Sequence, residues 1–425
     1  MDRSDHLSFL NRKEGHLLST IVQKFGGTSV GSTERIKRMA EKIIQEKSKG
    51  HDVVAVVSAM GKTTDALVKL VSEITSEPSK REMDMLLSTG EQVTISLLTM
   101  ALQQQGVEAI SFTGWQAGVR TDSILGNAHI QAIETGRIKS ELNVGRVVVV
   151  AGFQGITEEG DISTLGRGGS DITAAALASA LKADRCDIYT DVDGVYTSDP
   201  RFVKKASKIT SLSYVDMQNL AVMGAGVLHP RAIKHAKKFG IPLYIKSSFE
   251  NVGGTLIHGK IKQNGPIPVF GVTFEKDIHR VEMFECEDVE GFREAFMSEL
   301  SSRHIQGDVY IQRCRNSLSL LIKKQDLHEV LSILEKEKDK WKYSRIEERS
   351  NLSKVSVIGG DMKGRSEIKV GVCRMLLESG VRVKLIGESS ISVTAVIEKS
   401  HVQSAVECLH TGFGLDYKDT LKASV

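Results

Sequence analysis

The sequence has few cysteines, and they form no pattern that binds a metal or makes a redox pair. The chain has 425 residues and five cysteines, which are Cys186, Cys286, Cys314, Cys373 and Cys408. No Cys-x-x-Cys occurs, and no cysteine has a histidine at zinc-site spacing. We therefore expect reduced thiols that lie mostly in the core, and no zinc site.

Long apolar runs and an excess of one charge are also missing. No stretch approaches the roughly 18 apolar residues that span a bilayer, and the polar start MDRSDHLSFLNRKEGHLLST is unlike a secretory signal. The 56 Lys and Arg nearly balance the 53 Asp and Glu, so the formal net charge is only +3. This balance gives no sign of a nucleic-acid or membrane partner, and a cytoplasmic protein is expected.

What is present is an alternation of β-branched apolar runs with helical stretches. DVVAVVS (52–58) is a continuous apolar run of the kind found in parallel sheets, and residues 33–49 carry apolar side chains at helical spacing. The alternation predicts an α/β fold with a mainly parallel sheet sandwiched by helices. Further predicted strands are 20–25, 107–112, 146–153, 186–191 and 242–247, with helices at about 64–75 and 82–105.

The pattern changes after about residue 262. Two shorter units follow, each with strand, helix, strand, strand and helix, which is the βαββαβ plan. We expect a flexible extension over 1–18, an α/β domain over 19–262, and two βαββαβ domains over 263–340 and 341–425.

Lys24 ends the first predicted strand, just before the glycine turn of KFGGTS. Open α/β sheets bind ligands at the carboxyl ends of their strands, and a lysine beside glycine N–H groups suits a polyphosphate. A glycine turn with a solvated lysine is the alternative. GKTT (61–64) is not a P-loop, because Val56 stands where that motif needs glycine.

A glycine-flanked arginine precedes a predicted helix of small apolar residues, in GRGGSD (166–171). Helix N-termini attract anions, and Arg167 can bind a carboxylate through two parallel hydrogen bonds. Asp171 either orients Lys24 or only caps the helix. In STGEQ (88–92), Gly90 indicates a close approach by another group, and Glu91 either holds an ammonium group or lies on the surface.

An acidic turn follows another predicted core strand, in YTDVDGVYTSDPR (189–201). It contains Asp191, Asp193 and Asp199. A nucleotide pocket with magnesium nearby and a turn that holds only water are both open at this point.

Taken together, these motifs resemble the amino acid kinase family and, within it, the aspartate kinase group. The resemblance covers about residues 20–410, and the tail resembles the paired ACT domains that such kinases use for feedback control and dimer contacts. The motifs that carry it, in chain order, are VQKFGGTSVG, VVSAMGKTTD, REMDMLLSTGEQ, SFTGWQAGV, VVAGFQG, TLGRGGSDITAAALA, YTDVDGVYTSDPR and HPRAIKHA.

The resemblance implies transfer of the γ-phosphoryl group of MgATP to the β-carboxylate of L-aspartate, the first step toward lysine, threonine and methionine. It implies catalysis by Lys24, steered by Asp171, in a homo-oligomer joined through the ACT region, with no metal held directly by assigned side chains. The implied phosphate and ATP contacts are Lys24, Phe25, Gly26, Gly27, Ser58, Thr190, Asp191, Tyr196, Asp199, Pro200 and Arg201. The implied substrate contacts are Thr63, Thr64, Asp65, Glu91 for the ammonium group, Arg167 for the α-carboxylate, Gly168, Gly169 and Ser170.

The chain departs from the family pattern at two places. Gly226 stands in GAGVLHPR where many members have a lysine near the nucleotide. The first ACT-like unit reads ECEDVEGFREAF (285–296) and HIQGDV (304–309) at the loops that often bind an effector. Four carboxylates in the first loop would repel an effector carboxylate, so only weak inhibition by lysine or threonine alone is expected; ordinary feedback inhibition through a rearranged site is the alternative.

Two other functions stay open on the sequence alone. The chain could be a regulatory subunit of the same fold that has lost turnover, although Lys24, Glu91, Arg167 and Asp171 are all present. It could also be an amino acid kinase with another acceptor.

Overall fold

The computed structural model describes residues 19–259, 269–303, 305–312, 316–360 and 362–416. The expected extension over 1–18, Cys314 and the boundary near residue 262 lie outside this part of the chain. The other four cysteines are free thiols.

The first part of the chain, up to residue 259, alternates strands and helices. Its strands are β1 (Thr20–Phe25), β2 (Asp52–Val57), β3 (Ala109–Phe112), β4 (Val119–Thr121), β5 (Ile130–Ile133), β6 (Val147–Ala151), β7 (Gln154–Ile156), β8 (Ile162–Thr164), β9 (Arg185–Thr190), β10 (Val195–Tyr196), β11 (Lys208–Ile209), β12 (Ser211–Ser213), β13 (Leu243–Ser247) and β14 (Thr255–His258). Its helices are α1 (Thr33–Ser48), α2 (Thr63–Ser72), α3 (Lys80–Leu87), α4 (Thr89–Gln104), α5 (Gly136–Asn143), α6 (Gly169–Leu181), α7 (Tyr214–Val222) and α8 (Pro230–Phe239).

Eight of these strands form one sheet, in the order β12-β14-β13-β9-β1-β2-β6-β3. The strands from β13 to β3 run parallel, and β14 is antiparallel to β13. Side chains alternate between the two faces: Val54 and Val56 pack with α6 and α8, whereas Val53 and Ala55 pack with α1 and α4. The predicted mainly parallel sheet between helices is confirmed.

A small second sheet, in the order β5-β4-β7-β8, leads into α6. The hairpin of β7 and β8 brings the chain from the end of β6 back to the start of α6. This small sheet was not predicted, because its strands are only three or four residues long.

The predicted helix at 82–105 is two helices, α3 and α4, that meet at Ser88. The Ser88 carbonyl accepts a hydrogen bond from the Gln154 side chain at 2.8 Å. By length and composition alone the run Lys80–Gln104 could cross a bilayer, a test that core helices also pass. Its residues Leu98 and Leu102 lie in the apolar core against the sheet.

The second part of the chain forms one antiparallel sheet, in the order β16-β17-β15-β18-β20-β19. Its strands are β15 (Val269–Phe284), β16 (Asp308–Gln312), β17 (Ser317–Lys323), β18 (Arg345–Gly359), β19 (Leu385–Glu388) and β20 (Ser392–Glu398). Its helices are α9 (Val289–Ser302), α10 (Leu327–Lys336), α11 (Lys338–Trp341), α12 (Ser366–Glu378) and α13 (Val402–Gly412).

One of the two small units is inserted within the other along the chain, whereas the sequence predicts two separate units in tandem. Residues 269–275 of β15 pair with 354–359 of β18, whereas 278–284 pair with 345–352. The register shifts between Glu275 and Ile278 mark the change. We call 278–352 the inner unit, and 269–275 with 353–416 the outer unit.

The apolar cores follow the same division. Val269 and Val272 pack in the outer core with α12 and α13, and Val281 and Met283 pack in the inner core with α9 and α10. The last strand of each βαββαβ unit therefore comes from a segment that sequence order assigns to the other unit. The domain boundaries at 263 and 341 stay a proposal, with this exchange of strands added.

Candidate active site

The site lies at the carboxyl edge of the main sheet, where the central strands end together. Lys24 is in register with Val56 of β2 and Ile188 of β9, and all three strands are parallel. Ser58 and Thr190 therefore reach the same edge as Lys24. Ligands of open α/β sheets bind at this edge.

Lys24 and Asp171 form a buried ion pair. The Lys24 Nζ lies 2.6 Å from Asp171 Oδ1, and the two side chains are only 11% and 12% exposed. Asp171 stands in the first turn of α6, which packs against β1. Gly26 lies beside this pair, since a Cβ there would be at an ordinary contact distance of 3.4 Å from the Lys24 Nζ. This contact supports the prediction that Asp171 orients Lys24.

The glycines at the start of α6 are required by packing. Gly168 has a φ of 69°, and a Cβ there would lie 2.5 Å from the His229 Cβ. A Cβ on Gly169 would lie 2.7 Å from the Phe153 ring. The resemblance implies that these glycines contact the substrate, and packing against the neighbouring side chains is a second reason for glycine here.

Two of the backbone donors expected to bind phosphate already donate within the protein. The Gly26 N–H donates to the Tyr189 carbonyl at 3.3 Å, and the Gly169 N–H donates to the Gly166 carbonyl at 3.1 Å. Gly27 and Gly168 remain candidates for phosphate oxygens. The Phe25 side chain is fully buried and stacks on Tyr189 at 5.0 Å, so only its backbone can face a ligand.

Glu91 is buried in the first turn of α4, with 3% of its surface exposed. Its Oε1 accepts a hydrogen bond from the Ala59 N–H at 3.0 Å, and its Oε2 has no hydrogen-bond partner among the described residues. Burial raises the pKa of Glu91 to about 7, against a smaller lowering by the Ala59 N–H. A buried carboxylate oxygen without a partner suits an incoming ammonium group.

Gly90 makes the close approach that its position in a helix indicated. A Cβ on Gly90 would lie 2.8 Å from the Ala59 Cβ and 3.6 Å from Thr63 Cγ2. The approaching group is thus the loop after β2, which carries Ser58 and leads to Thr63, Thr64 and the exposed Asp65 at the start of α2.

The loop after β2 also contacts the start of α6. The Ser58 hydroxyl donates to Ser170 Oγ at 3.0 Å. Ser170 is 8% exposed and packs so close to Gly152 that a Cβ on Gly152 would lie 2.8 Å from it. The structure therefore brings together Lys24, Asp171, Ser58, Ser170 and, through Ala59, Glu91.

The acidic turn after β9 is largely neutralised by its own side chains. Asp199 makes a bidentate pair with Arg201, whose closest N–O distance is 2.7 Å. Asp193 accepts from Lys208 at 2.8 Å and from the Tyr196 hydroxyl at 2.9 Å. Asp191 and Pro200 are exposed, and Thr190 donates to Asp191 at 3.1 Å. In the hydrogen bonds above, Asp193 and Asp199 each have a Lys or Arg partner, whereas the partner of Asp191 is the Thr190 hydroxyl.

Arg167 is exposed in the turn before α6, beside the exposed Gly168. Two residues to which the sequence analysis gave no role fix this turn from behind. Arg231 donates to the Leu165 carbonyl at 2.9 Å, and the buried Asp84 accepts from the Thr164 N–H at 2.9 Å and its hydroxyl at 2.6 Å. Both stand inside quoted motifs, HPRAIKHA and REMDMLLSTGEQ, which was the available signal.

Gly226 adopts a φ of 65° and is exposed, and a Cβ there would meet only the Gly224 carbonyl oxygen, at 3.8 Å. A lysine at this position would need a backbone conformation that residues with a side chain rarely adopt. The backbone at Gly226 therefore favours glycine over the lysine that the resemblance leads one to expect here.

Among the described residues, no group of three or more His, Cys, Asp or Glu side chains is placed to hold a metal ion. A magnesium ion carried by a nucleotide does not need such a group, since phosphate oxygens and water supply most of its ligands.

The chain is similar to known proteins over most of its length. Residues 19–247 match the model of the amino acid kinase family, and residues 355–413 match an ACT domain model. An aspartokinase of Bacillus sp. (strain MGA3) is 51% identical over 402 residues, which are 94% of this chain and 98% of the relative. Aspartokinase 2 of Bacillus subtilis (strain 168) is 48% identical over 94% of this chain and 98% of the relative.

Two solved structures of E. coli aspartokinase III are also similar, each at 25% identity. The R-state complex with aspartate and ADP has a TM-score of 0.80 and covers 92% of this chain and 99% of its own. The T-state complex with lysine and aspartate has a TM-score of 0.70 and covers 93% of this chain and 99% of its own. By TM-score, the fold of this chain is more similar to the R-state structure than to the T-state structure.

Proposed function

The chain belongs to the amino acid kinase family and, within it, to the aspartokinases, and from this premise we propose that it transfers the γ-phosphoryl group of ATP to the β-carboxylate of L-aspartate. The product is 4-phospho-L-aspartate. The same premise supports a place at the start of lysine, threonine and methionine synthesis, in the cytoplasm.

The observation that carries the proposal is the buried pair of Lys24 and Asp171, 2.6 Å apart at the carboxyl edge of the sheet. A phosphoryl acceptor and a triphosphate are both anions, so their approach has to be made less repulsive. A lysine held at the meeting point by a carboxylate supplies positive charge in a fixed place, which needs no rearrangement as the transition state forms.

No general base is required. The β-carboxylate of aspartate is ionised at neutral pH, so it attacks the γ-phosphorus directly. The P–O bond to the β-phosphate breaks, and ADP leaves with that electron pair. Catalysis is then mostly positioning and charge stabilisation.

The two substrates take opposite sides of Lys24. We assign the aspartate α-carboxylate to Arg167, its ammonium group to the free oxygen of Glu91, and its orientation to Ser170 with Thr63, Thr64 and Asp65. The nucleotide takes Gly27, Ser58 and the turn from Thr190 to Arg201. Magnesium neutralises phosphate charge when it is bound, and Asp191 is the side chain that would contact it, directly or through water.

A coupled ADP-release assay tests the proposal. Purified full-length protein with MgATP is offered L-aspartate, L-glutamate, N-acetylglutamate or UMP. We expect release with L-aspartate and little with the others. Equal release with another acceptor would assign a different member of the family, and no release with any acceptor would assign a regulatory protein without turnover.

A homo-oligomer joined through the inner and outer units belongs to the same proposal. Sedimentation at two protein concentrations tests it, because an obligate oligomer does not dissociate in the micromolar range. A monomer at such concentrations would contradict this part of the proposal.

A further inference from the structure

The turn proposed to hold the nucleotide is buried against the outer unit on its far side. Thr197 lies between Tyr196 and the Asp199–Arg201 pair, and it has no exposed surface. Its Oγ1 lies 2.8 Å from Nε2 of His410, a fully buried residue of α13. The nucleotide turn and the last helix of the outer unit thus share a buried hydrogen bond across 213 positions of the chain.

The partners of His410 determine the direction of this hydrogen bond. Its Nδ1 lies 2.7 Å from Oδ1 of Asp416, and a carboxylate can only accept. Nδ1 therefore carries the proton, and Nε2 accepts from the Thr197 hydroxyl. The Ser207 N–H donates to the same Thr197 oxygen at 3.0 Å, so each polar atom in the chain of bonds has a partner.

Threonine, histidine and aspartate in this order have the connectivity of a catalytic triad, but they cannot act as one here. The Thr197 hydroxyl is fully buried, so no substrate reaches it. What the three side chains can do is hold a backbone segment in one place.

Three further contacts join the same segment to the outer unit. The Thr197 carbonyl accepts from the Val272 N–H at 2.8 Å. The Phe202 ring packs edge-on against Phe274 at 4.6 Å between centroids. Val203 lies in the apolar core of the outer unit. The turn is thus packed as part of the outer unit while its other side carries the residues assigned to ATP.

We propose that His410 is a positioning residue for ATP, which holds the turn around Asp199 and Arg201 through Thr197 and thereby sets nucleotide affinity. The proposal rests on the proposed nucleotide site. A movement of α13 would change the affinity for ATP without any contact between the outer unit and the nucleotide.

The test compares shape-matched variants. Thr197→Val keeps the volume and removes the hydroxyl, and His410→Phe keeps the ring and removes both nitrogens. We expect each to raise the KM for ATP about five-fold or more, the worth of one buried hydrogen bond, with the KM for aspartate changed less than about two-fold. Thr197→Ser keeps the hydroxyl, so its KM for ATP should stay close to that of the wild type.

The double variant adds a second criterion. Because both residues act through one hydrogen bond, Thr197→Val with His410→Phe should be no worse than either alone. Thr394→Val is the matched control: it breaks a buried hydroxyl pair with Ser356, 2.9 Å apart, within the outer unit and away from the turn. It should lower Tm without changing the KM for ATP.

Direct titration of each protein with MgADP separates this inference from the proposed function. If the wild type binds MgADP but turns over no acceptor, the proposed function fails while the shift in MgADP Kd still tests His410. Equal Kd values for wild type, Thr197→Val and His410→Phe would overturn the inference, as would equal losses for ATP and aspartate. Should His410→Phe not fold, Asp416→Ala removes the acceptor of His410 Nδ1, together with the Asp416 contacts to Thr411 and Lys205, and should shift the Kd in the same direction.

Discussion

At Glu91, burial favours the protonated carboxyl group, whereas the proposed function requires the carboxylate. Burial raises its pKa to about 7, yet its proposed role requires the ionised form. The apparent affinity for aspartate should therefore fall as the pH is lowered from 8 to 6, because a protonated carboxyl no longer attracts an ammonium group. Initial rates at varied aspartate and fixed saturating ATP measure this, and an aspartate KM independent of pH in that range would contradict it.

Glu91→Gln should lose this pH dependence, bind aspartate weakly at every pH, and fold more stably in alkaline solution. The folded state holds the Glu91 proton up to about pH 7, whereas the unfolded chain releases it near 4.5. Wild-type stability contributed by this group is thus lost as the pH rises between these values. In thermal unfolding, the free energy of unfolding of the variant should exceed that of the wild type by up to about 3 kcal/mol at pH 8, and the two should be equal at pH 4.

Lys24→Ala should reduce kcat by about 10²–10³, the usual cost of losing one transition-state charge contact. It should also lower stability by about 3–5 kcal/mol, because Asp171 is left buried without its partner. Lys24→Met with Asp171→Asn removes both charges and should recover stability without recovering turnover. Arg280→Met breaks a buried pair with Glu282, 2.7 Å apart in the other sheet, and should lower Tm while kcat stays within a few-fold. A Lys24→Ala protein with wild-type kcat would exclude the proposed role.

Arg167→Lys should raise the KM for aspartate by about ten-fold or more and change the KM for ATP much less. Lysine keeps the charge but not the planar fork that matches a carboxylate. Since Arg167 is exposed, Tm should not change. Equal effects on both substrates would instead place Arg167 on the phosphates.

At the scale of elements, the start of α4 can pack against the loop after β2 because Gly90 has no side chain. Gly90→Ala should push α4 away from the loop after β2, because its Cβ would lie 2.8 Å from that of Ala59. We expect a lower Tm and a higher KM for aspartate, since Glu91 moves with the helix. Gly136→Ala, at the open start of α5, should do neither, and adding Ala59→Gly to Gly90→Ala should restore both values. A Gly90→Ala protein identical to the wild type would show that the loop yields at no cost.

The predicted elements that agree with the structure are those with strong local signals. The strand at 20–25 is β1, and DVVAVVS gives β2 with one residue less, because unbroken β-branched runs have few alternatives to a buried parallel strand. A contact that orients Lys24 is one of the two roles that the sequence predicts for Asp171, and the resemblance to known kinases favours it over a helix cap. The support of the α6 turn by Asp84 and Arg231 was not predicted, because it joins residues 80 and 66 positions apart and the motifs that contain them do not indicate their partners.

At the scale of the whole molecule, three backbone N–H groups in and next to the loop before α9 of the inner unit already donate within the protein. In this loop the Cys286 N–H donates to the Asn316 carbonyl and the Glu287 N–H donates to the Lys342 carbonyl. In the first turn of α9, the Gly291 N–H donates to the Asp288 side chain. The repulsion of an effector carboxylate by this loop is weaker than four acidic residues would give, because Glu287 forms an ion pair with Lys342 at 2.8 Å. The occupied N–H groups are the better reason to expect poor effector binding.

We therefore expect lysine or threonine alone to inhibit only weakly. Activity at aspartate concentrations near KM, titrated with each amino acid singly and then with both together, measures this. Half-inhibition by either one at submillimolar concentration would mean that the loop rearranges to bind it, and that the hydrogen bonds described here are not retained in the inhibited state.

The nesting of the inner unit within the outer one also constrains how the protein is made. Residues 269–275 leave the ribosome early, yet their strand partners in β18 and the helix α13 that packs on them come 80 to 140 residues later. During that interval the nascent chain carries an unpaired strand and an uncovered nucleotide turn. Premature termination anywhere before residue 416 would leave the turn without Asp416, and before residue 410 without His410. Chains that stop before residue 410 should thus bind ATP poorly, so that incomplete copies consume little of it.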